Sequence, residues 1–272
     1  IQSMMKDKRI LYVSSEVVPY LPENEVSQAS FDTPKMINDL GGQIRIFMPR
    51  YGSINERRHQ LHEVIRLSGM NLVINDMDMP LIIKVASIPK ERIQVYFIDN
   101  DEYFKRKCTF VDEDNVMFED NDERAIFFTK GVVETVKKLN WVPDVIHVQG
   151  WLASLLPLYM KKYYKDETIF ADTKIVTSVF TKTFDQKLSE NMFDKVAFDG
   201  FESSDIDILK DATFENIMKN AIDFSDGVII SSEGVSTDLT NYIETSGKPF
   251  LPFTAKEKMS EINTDFYRNQ LL

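Results

Sequence analysis

Pro143–Trp151 reads PDVIHVQGW, and this stretch decides the fold. A proline–aspartate entry leads into a short apolar run, Val145-Ile146-His147-Val148. The step Gln149-Gly150 follows, and Trp151 opens a helical segment. That order of residues describes a buried parallel strand handing its last side chains to a βα turn. In open α/β sheets ligands bind in the crevice outside the carboxyl ends of the strands. One wall of any site is therefore expected at His147, Gln149 and Trp151.

The same grammar repeats on either side. Lys8–Ser14 is an apolar first strand ending in Ser14-Ser15-Glu16. After a proline-containing loop, a helix is expected from about Val26 or Ser30 to Leu40, stopped by Gly41-Gly42. Gln43–Met48 closes a βαβ unit. Between 51 and 110 the pattern changes to short alternating runs, Leu61–Leu67, Met70–Ile74, Pro80–Ser87 and Gln94–Ile98, expected to form an antiparallel β insertion. Asp120–Leu139 carries a 3.6-residue apolar stripe, with Asp120 and Glu123 at capping-box spacing and Lys137-Lys138 in the last turn. A helix over Leu152–Tyr163, a strand over Lys174–Val179 and a polar, lid-like loop with a helical turn over Phe184–Lys210 come next. Helix 214–224, strand 226–230, helix 236–243, a two-proline turn over 247–253 and a last helix over Ala255–Leu271 complete the chain. Strands and helices alternating in this way define a doubly wound, mainly parallel, Rossmann-like α/β sheet. We read 5–272 as one domain and Ile1–Met4 as a remnant ahead of a natural start at Met5.

The chain has 272 residues and a formal charge of −11. Like charges repel, so this balance argues against nucleic acid or an anionic membrane as partner. Cys108 is the single cysteine, which excludes a disulfide framework and favours a cytoplasmic setting. No apolar run approaches the ~20 residues of a membrane span, and no secretory leader is legible.

Several chemistries are excluded by absent motifs. There is no G-x-G-x-x-G, no P-loop and no G-x-S-x-G elbow, so nothing calls for a dinucleotide or other cofactor. His59 and His62 have the i, i+3 spacing of a metal pair, but beside Arg57-Arg58 they read as a solvated segment, and no metal is expected. Cys108 follows three cations, which can lower a thiol pKa, but no histidine or second cysteine is adjacent. The stronger candidates are polar strand ends: Ser14, Glu16, His147, Gln149, Thr181, Lys182, Ser232 and Glu233. They come from four strands and can converge on one crevice. Polar residues also end strands simply as turn formers.

Five strings carry a resemblance: EVVPY at Glu16–Tyr20, GGQIRIFMPRYGSI at Gly41–Ile54, VYFIDNDEYFKR at Val95–Arg106, DNDERAIFF at Asp120–Phe128 and PDVIHVQGW at Pro143–Trp151. Together, in this order and spacing, they resemble the N-terminal domain of bacterial glycogen synthases and plant starch synthases, and in particular a short, single-domain subgroup. The resemblance runs to about Val235. It implies the first half of a GT-B fold, in a family of retaining glycosyltransferases that extend α-1,4-glucan from ADP-glucose. It also implies that the donor-binding second domain has no counterpart before Leu272.

Within the first domain the resemblance marks departures. Where the family carries a Lys-Thr-Gly-Gly-Leu loop for the diphosphate, this chain has Leu21–Ser27, LPENEVS, with Glu23 and Glu25. Two carboxylates there repel a diphosphate. The family's H-x-H-D-W-H becomes His147-Val148-Gln149-Gly150-Trp151-Leu152. Its later His-Asn pair corresponds to Thr181-Lys182 or Lys182-Thr183. The expectation is a glycogen synthase-like protein of glucan metabolism with a degenerate active site, inactive alone. The alternative is a non-catalytic module that binds glucan or a protein partner at the face of the missing domain. His147, Gln149 and Lys182 are the candidate catalytic remnants. Ser14, Glu16, Tyr20, Trp151 and Thr181 are the candidate substrate contacts, with an α-glucan or maltooligosaccharide as ligand.

Overall fold

The first strand, β1 (Arg9–Ser14), is buried from Ile10 onward, as a strand covered on both faces must be. The computed structural model describes residues 5–272; the Ile1–Met4 expectation falls outside them. The remaining strands are β2 (Gln43–Pro49), β3 (His62–Glu63), β4 (Asn71–Ile74), β5 (Met77–Pro80), β6 (Ile82–Ser87), β7 (Gln94–Asp99), β8 (Val145–Gln149), β9 (Lys174–Val179), β10 (Gly227–Ile230) and β11 (Phe250–Leu251). Nine of them form one sheet in the order β11-β10-β9-β8-β1-β2-β7-β6-β3. From β11 to β7 every pairing is parallel. β6 and β3 extend that edge antiparallel, and β4 and β5 make a separate two-stranded hairpin.

The chain runs β1 to β2 to β7 on one side of β1, then crosses back to place β8 on the other side. The order therefore reverses between β1 and β8, where an open sheet forms its crevice. Helices cover both faces. Tyr12 of β1 and His147 of β8 face the last helix through Tyr267. On the opposite face, Gly131 of the Asn121–Leu139 helix sits against Ile98 of β7.

The Glu25–Asp39 helix begins earlier than the apolar stripe suggests, because Asn24 caps it. Its side chain accepts from the Ser27 amide at 2.9 Å while the Ser27 hydroxyl accepts from the Asn24 amide at 2.8 Å. The cap expected at Asp120 is not made. Its carboxylate is held instead by both terminal nitrogens of Arg106, each at 2.7 Å. The Leu152–Tyr163 helix is broken into a 3-10 turn, a short α turn containing Pro157 and a π-helical turn. Proline withholds a backbone donor there. The strand expected over Leu61–Leu67 keeps only His62–Glu63 before a 3-10 turn. Phe184–Lys210 is no lid. It contains helical turns, and Phe184, Leu188, Met192, Val196, Ile206 and Leu209 are buried in the core. The two-proline turn contains an edge strand, β11, that its prolines concealed. Among the described residues no helix is long and apolar enough to cross a membrane.

Candidate functional site

The crevice at the switch point is a cavity of about 240 Å³. Gln149 at the end of β8 and Ser231-Ser232-Glu233 at the end of β10 line it from below. Glu25, Ala29, Asp32 and Thr33 of the first long helix line one side. Phe253, Met259, Ser260 and Asn263 of the C-terminal segment line the other. Three carboxylates face the cavity, and among the described residues neither lysine nor arginine lines it.

Glu25, the first residue of its helix, ties that helix to the ends of β9 and β10 beside the cavity. Its Oε1 accepts from Ser232 at 2.8 Å and from Thr181 at 3.4 Å, and the two hydroxyls lie 2.5 Å apart. A carboxylate at a helix N-terminus is favoured by the helix dipole. This helix end thus carries its own anion. The sequence placed Glu25 in a loop, and its role depends on contacts with residues at positions 181 and 232 that no local pattern reveals.

Gln149 is the floor. Its Oε1 accepts from Ser30 at 2.5 Å and from Ser14 at 3.4 Å. With the oxygen thus occupied, its amide nitrogen is left to face the cavity. Asn263 is 3% exposed, and its Oδ1 has no partner among the described residues. Met259, Ser260 and Asn263 had no signal in the sequence beyond membership of the last helix, and Phe253 none beyond the two-proline turn.

His147 sits beneath this floor, fully buried. Nδ1 is hydrogen-bonded to the Tyr267 hydroxyl and Nε2 to the Ser178 hydroxyl at 2.6 Å. The Tyr267 hydroxyl also meets that of Tyr12 at 3.0 Å. A neutral imidazole offers one donor and one acceptor, and two hydroxyls can take the complementary roles. Burial lowers the His147 pKa to about 3. With both ring nitrogens engaged inside the core, His147 has the geometry of a packing residue.

The other candidates separate. Glu16, behind the crevice, accepts from Asn24 at 3.1 Å, and burial raises its pKa although that bond opposes the rise. Trp151 is 3% exposed and packs edge-on against Phe110 and Phe184, with its indole nitrogen unpartnered. Lys182 points outward to Asp185 and Glu215, each at 3.3 Å. Tyr20 lies over β7, edge-on to Phe97 and His59, away from the crevice. His59 and His62 join no cluster of metal ligands among the described residues. Thus Ser14, Gln149, Thr181, Ser232 and Glu233 converge, whereas Tyr20, Trp151 and Lys182 do not.

Gly150 explains its own presence. It holds φ +93°, and a Cβ there would stand 2.3 Å from the Ser15 hydroxyl oxygen. That hydroxyl in turn accepts from the Leu152 amide at 3.1 Å. The glycine is therefore built into the turn.

Comparison with known proteins gives consistent results. The starch synthase catalytic domain family matches residues 9–247. The glycogen synthase of Chlorobium limicola is 40% identical over 172 residues, covering 63% of this chain and 35% of that protein. The glycogen synthase of Chlorobaculum parvum is 32% identical over 246 residues, covering 89% of this chain and 49% of that protein. This chain therefore spans half or less of the length of either relative. Among solved structures, the catalytic domain of starch synthase IV from Arabidopsis thaliana, bound to ADP and acarbose, superposes with a TM-score of 0.72 at 16% identity. That match covers 91% of this chain and 51% of that one.

Proposed function

We propose, from the premise that the chain belongs to the starch synthase catalytic-domain family, that it serves α-glucan metabolism without itself transferring glucose from a nucleotide sugar. In this reading residues 5–272 act as one domain whose crevice takes a neutral sugar ring and refuses a diphosphate.

The observation that carries the proposal is the Glu25 carboxylate lining the cavity, held by Ser232 at 2.8 Å. A leaving diphosphate needs converging positive charge or backbone donors. Glu25, Asp32 and Glu233 present the opposite sign. Displacing Glu25 would break its bonds and still leave two carboxylates facing the phosphates. The positive end of the helix, which could otherwise hold an anion, already has its Ser27 amide taken by the Asn24 cap and carries the Glu25 carboxylate beside it.

What remains suits hydroxyl groups. The Gln149 amide, the Asn263 carbonyl and the Ser231, Ser232 and Ser260 hydroxyls form an uncharged donor–acceptor set around a cavity of about 240 Å³. The Arabidopsis neighbour was solved with both a nucleotide and a sugar-like inhibitor; for this chain we assign only the sugar half. Incubation of the purified chain with ADP-[14C]glucose and glycogen, alone and with cell extract, tests the proposal. No label should enter glycogen with the pure chain, and clear incorporation by it would overturn the reading.

The ligand half of this reading, glucan binding without catalysis, rests on the same uncharged set. Calorimetric titration with maltooligosaccharide should give heat at millimolar sugar; its absence removes glucan as the ligand.

A further inference from the structure

On the same face of the sheet as the crevice, beyond the Glu25–Asp39 helix, lies a second cavity of opposite character. It measures about 670 Å³ and is bounded by Tyr20, Ile44, the Arg58–Gln60 segment and the turn from Ser87 to Arg92. We propose that this cavity binds a small phosphate-bearing anion, with Arg58, Lys90 and Arg92 supplying the charge and the Tyr20 hydroxyl a hydrogen bond.

The first ground is charge. The chain carries −11 overall, yet Arg58, Lys90 and Arg92 all line this cavity and, among the described residues, neither aspartate nor glutamate does. None of the three makes an ion pair among the described residues. The nearby carboxylates are committed elsewhere: Glu56 and Asp99 pair with Lys84 at 2.7 and 3.1 Å, and Asp99 also with Arg50 at 2.9 Å. Glu91, the acid of the turn, bears electrostatically on Lys35. Three cations unneutralised in so acidic a protein form a local positive field that attracts a multiply charged ligand.

The second ground is Tyr20. Its ring is wedged edge-on between Phe97 and His59, it is 5% exposed, and its buried hydroxyl has no partner among the described residues. Buried polar groups in folded proteins are almost always paired, and an orphan calls for an explanation such as an absent ligand. Burial, and to a lesser degree the Arg58 charge, lower the His59 pKa.

Shape supports the assignment. Ile44, Ile88 and Pro89 give one apolar wall against which a ring attached to the phosphate could lie. The turn is anchored, since Asn38 donates to the Glu91 carbonyl at 3.1 Å. Lys90 and Arg92 sit at φ 71° and 58°, a region that costs L residues energy and is sparsely used by them.

The ring could belong to a nucleotide or to a sugar, and the probes distinguish them. The full chain is titrated calorimetrically at low salt with inorganic phosphate, ADP, glucose 1-phosphate and neutral glucose, and again as the Arg58→Gln/Arg92→Gln double variant. Both arginines are exposed, so folding should be unaffected, which circular dichroism checks. Phosphate-bearing probes should bind, glucose should not bind at this cavity, and the double variant should lose at least about tenfold in affinity, as charge-assisted contacts imply. Binding should weaken with salt. Tyr20→Phe should weaken it less. The probe bound most tightly names the natural ring. No heat with any phosphate probe up to about 10 mM, a threshold weaker than the millimolar end of ordinary affinities, would overturn the proposal, as would unchanged affinity in the double variant. The outcome is separable from the glucosyl-transfer assay, because none of these residues lines the crevice.

Discussion

Taking the protein from about pH 7.5 to about pH 5 should cost it roughly 2 kcal/mol through His147 alone. The sign follows from the direction of the shift. Burial lowers the folded-state pKa to about 3 from 6.5. Above 6.5 the ring is neutral in both states and contributes nothing to pH dependence. Below 6.5 the unfolded chain takes up a proton that the core refuses, so stability falls with pH until the folded ring also protonates. Each pH unit in that window costs about 1.4 kcal/mol, and the loss saturates near 5 kcal/mol. A domain stable by about 5–15 kcal/mol would feel this strongly. Urea unfolding of the wild type and of His147→Gln at both pH values measures it. Glu16 and Asp122, whose pKa values burial raises, act in the opposite direction in both proteins and cancel in the difference. His147→Gln should start less stable, since Tyr267 and Ser178 lose their shared partner, but its stability should fall by about 2 kcal/mol less over the window. Equal losses in the two proteins would show that His147 is not the buried neutral ring the network requires.

Three further outcomes follow from single contacts. Gly150→Ala should destabilise the chain by about 1–3 kcal/mol, because the turn needs φ +93° and Ser15 leaves no room for a methyl group; thermal melting reads it, and an unchanged Tm would mean that the turn relaxes freely. Asp199→Ala should cost about 3–5 kcal/mol in chemical denaturation, because it leaves the buried Lys130 ammonium without its partner at 2.5 Å and removes the acceptor of Tyr159. Tyr267→Phe should cost about 1–3 kcal/mol by leaving Tyr12 and His147 short of a partner; a smaller loss would mean that water replaces the hydroxyl.

The sheet was legible because parallel strands covered on both faces are rich in apolar residues, and β1, β8 and β9 carry such runs at Ile10–Val13, Val145-Ile146 and Ile175-Val176. The strand end at Gln149 marked one wall of the crevice, whereas the reversal between β1 and β8 came only with the strand order. What the sequence hid was direction. His147 and Gln149 share one face of β8, yet one lies in the core and the other at the cavity, a difference set by the last helix delivering Tyr267. Trp151 reads equally as a platform or as packing until Phe110 and Phe184 close over it. Asp120 satisfies a cap pattern but answers to Arg106, because a bidentate ion pair outcompetes a single amide. Asn263 reaches the crevice only through the tertiary path of the C-terminal segment, which periodicity cannot show.

The central claim is that the crevice accepts a neutral sugar and refuses a nucleotide diphosphate. Met259 lines that cavity, and among the described residues no methionine lines the basic cavity over β2. With methionine methyl groups carbon-13 labelled, titration with maltotriose should move the Met259 resonance, assigned through Met259→Leu, while ADP-glucose leaves it in place. A saturable shift of that resonance with ADP-glucose would contradict the account.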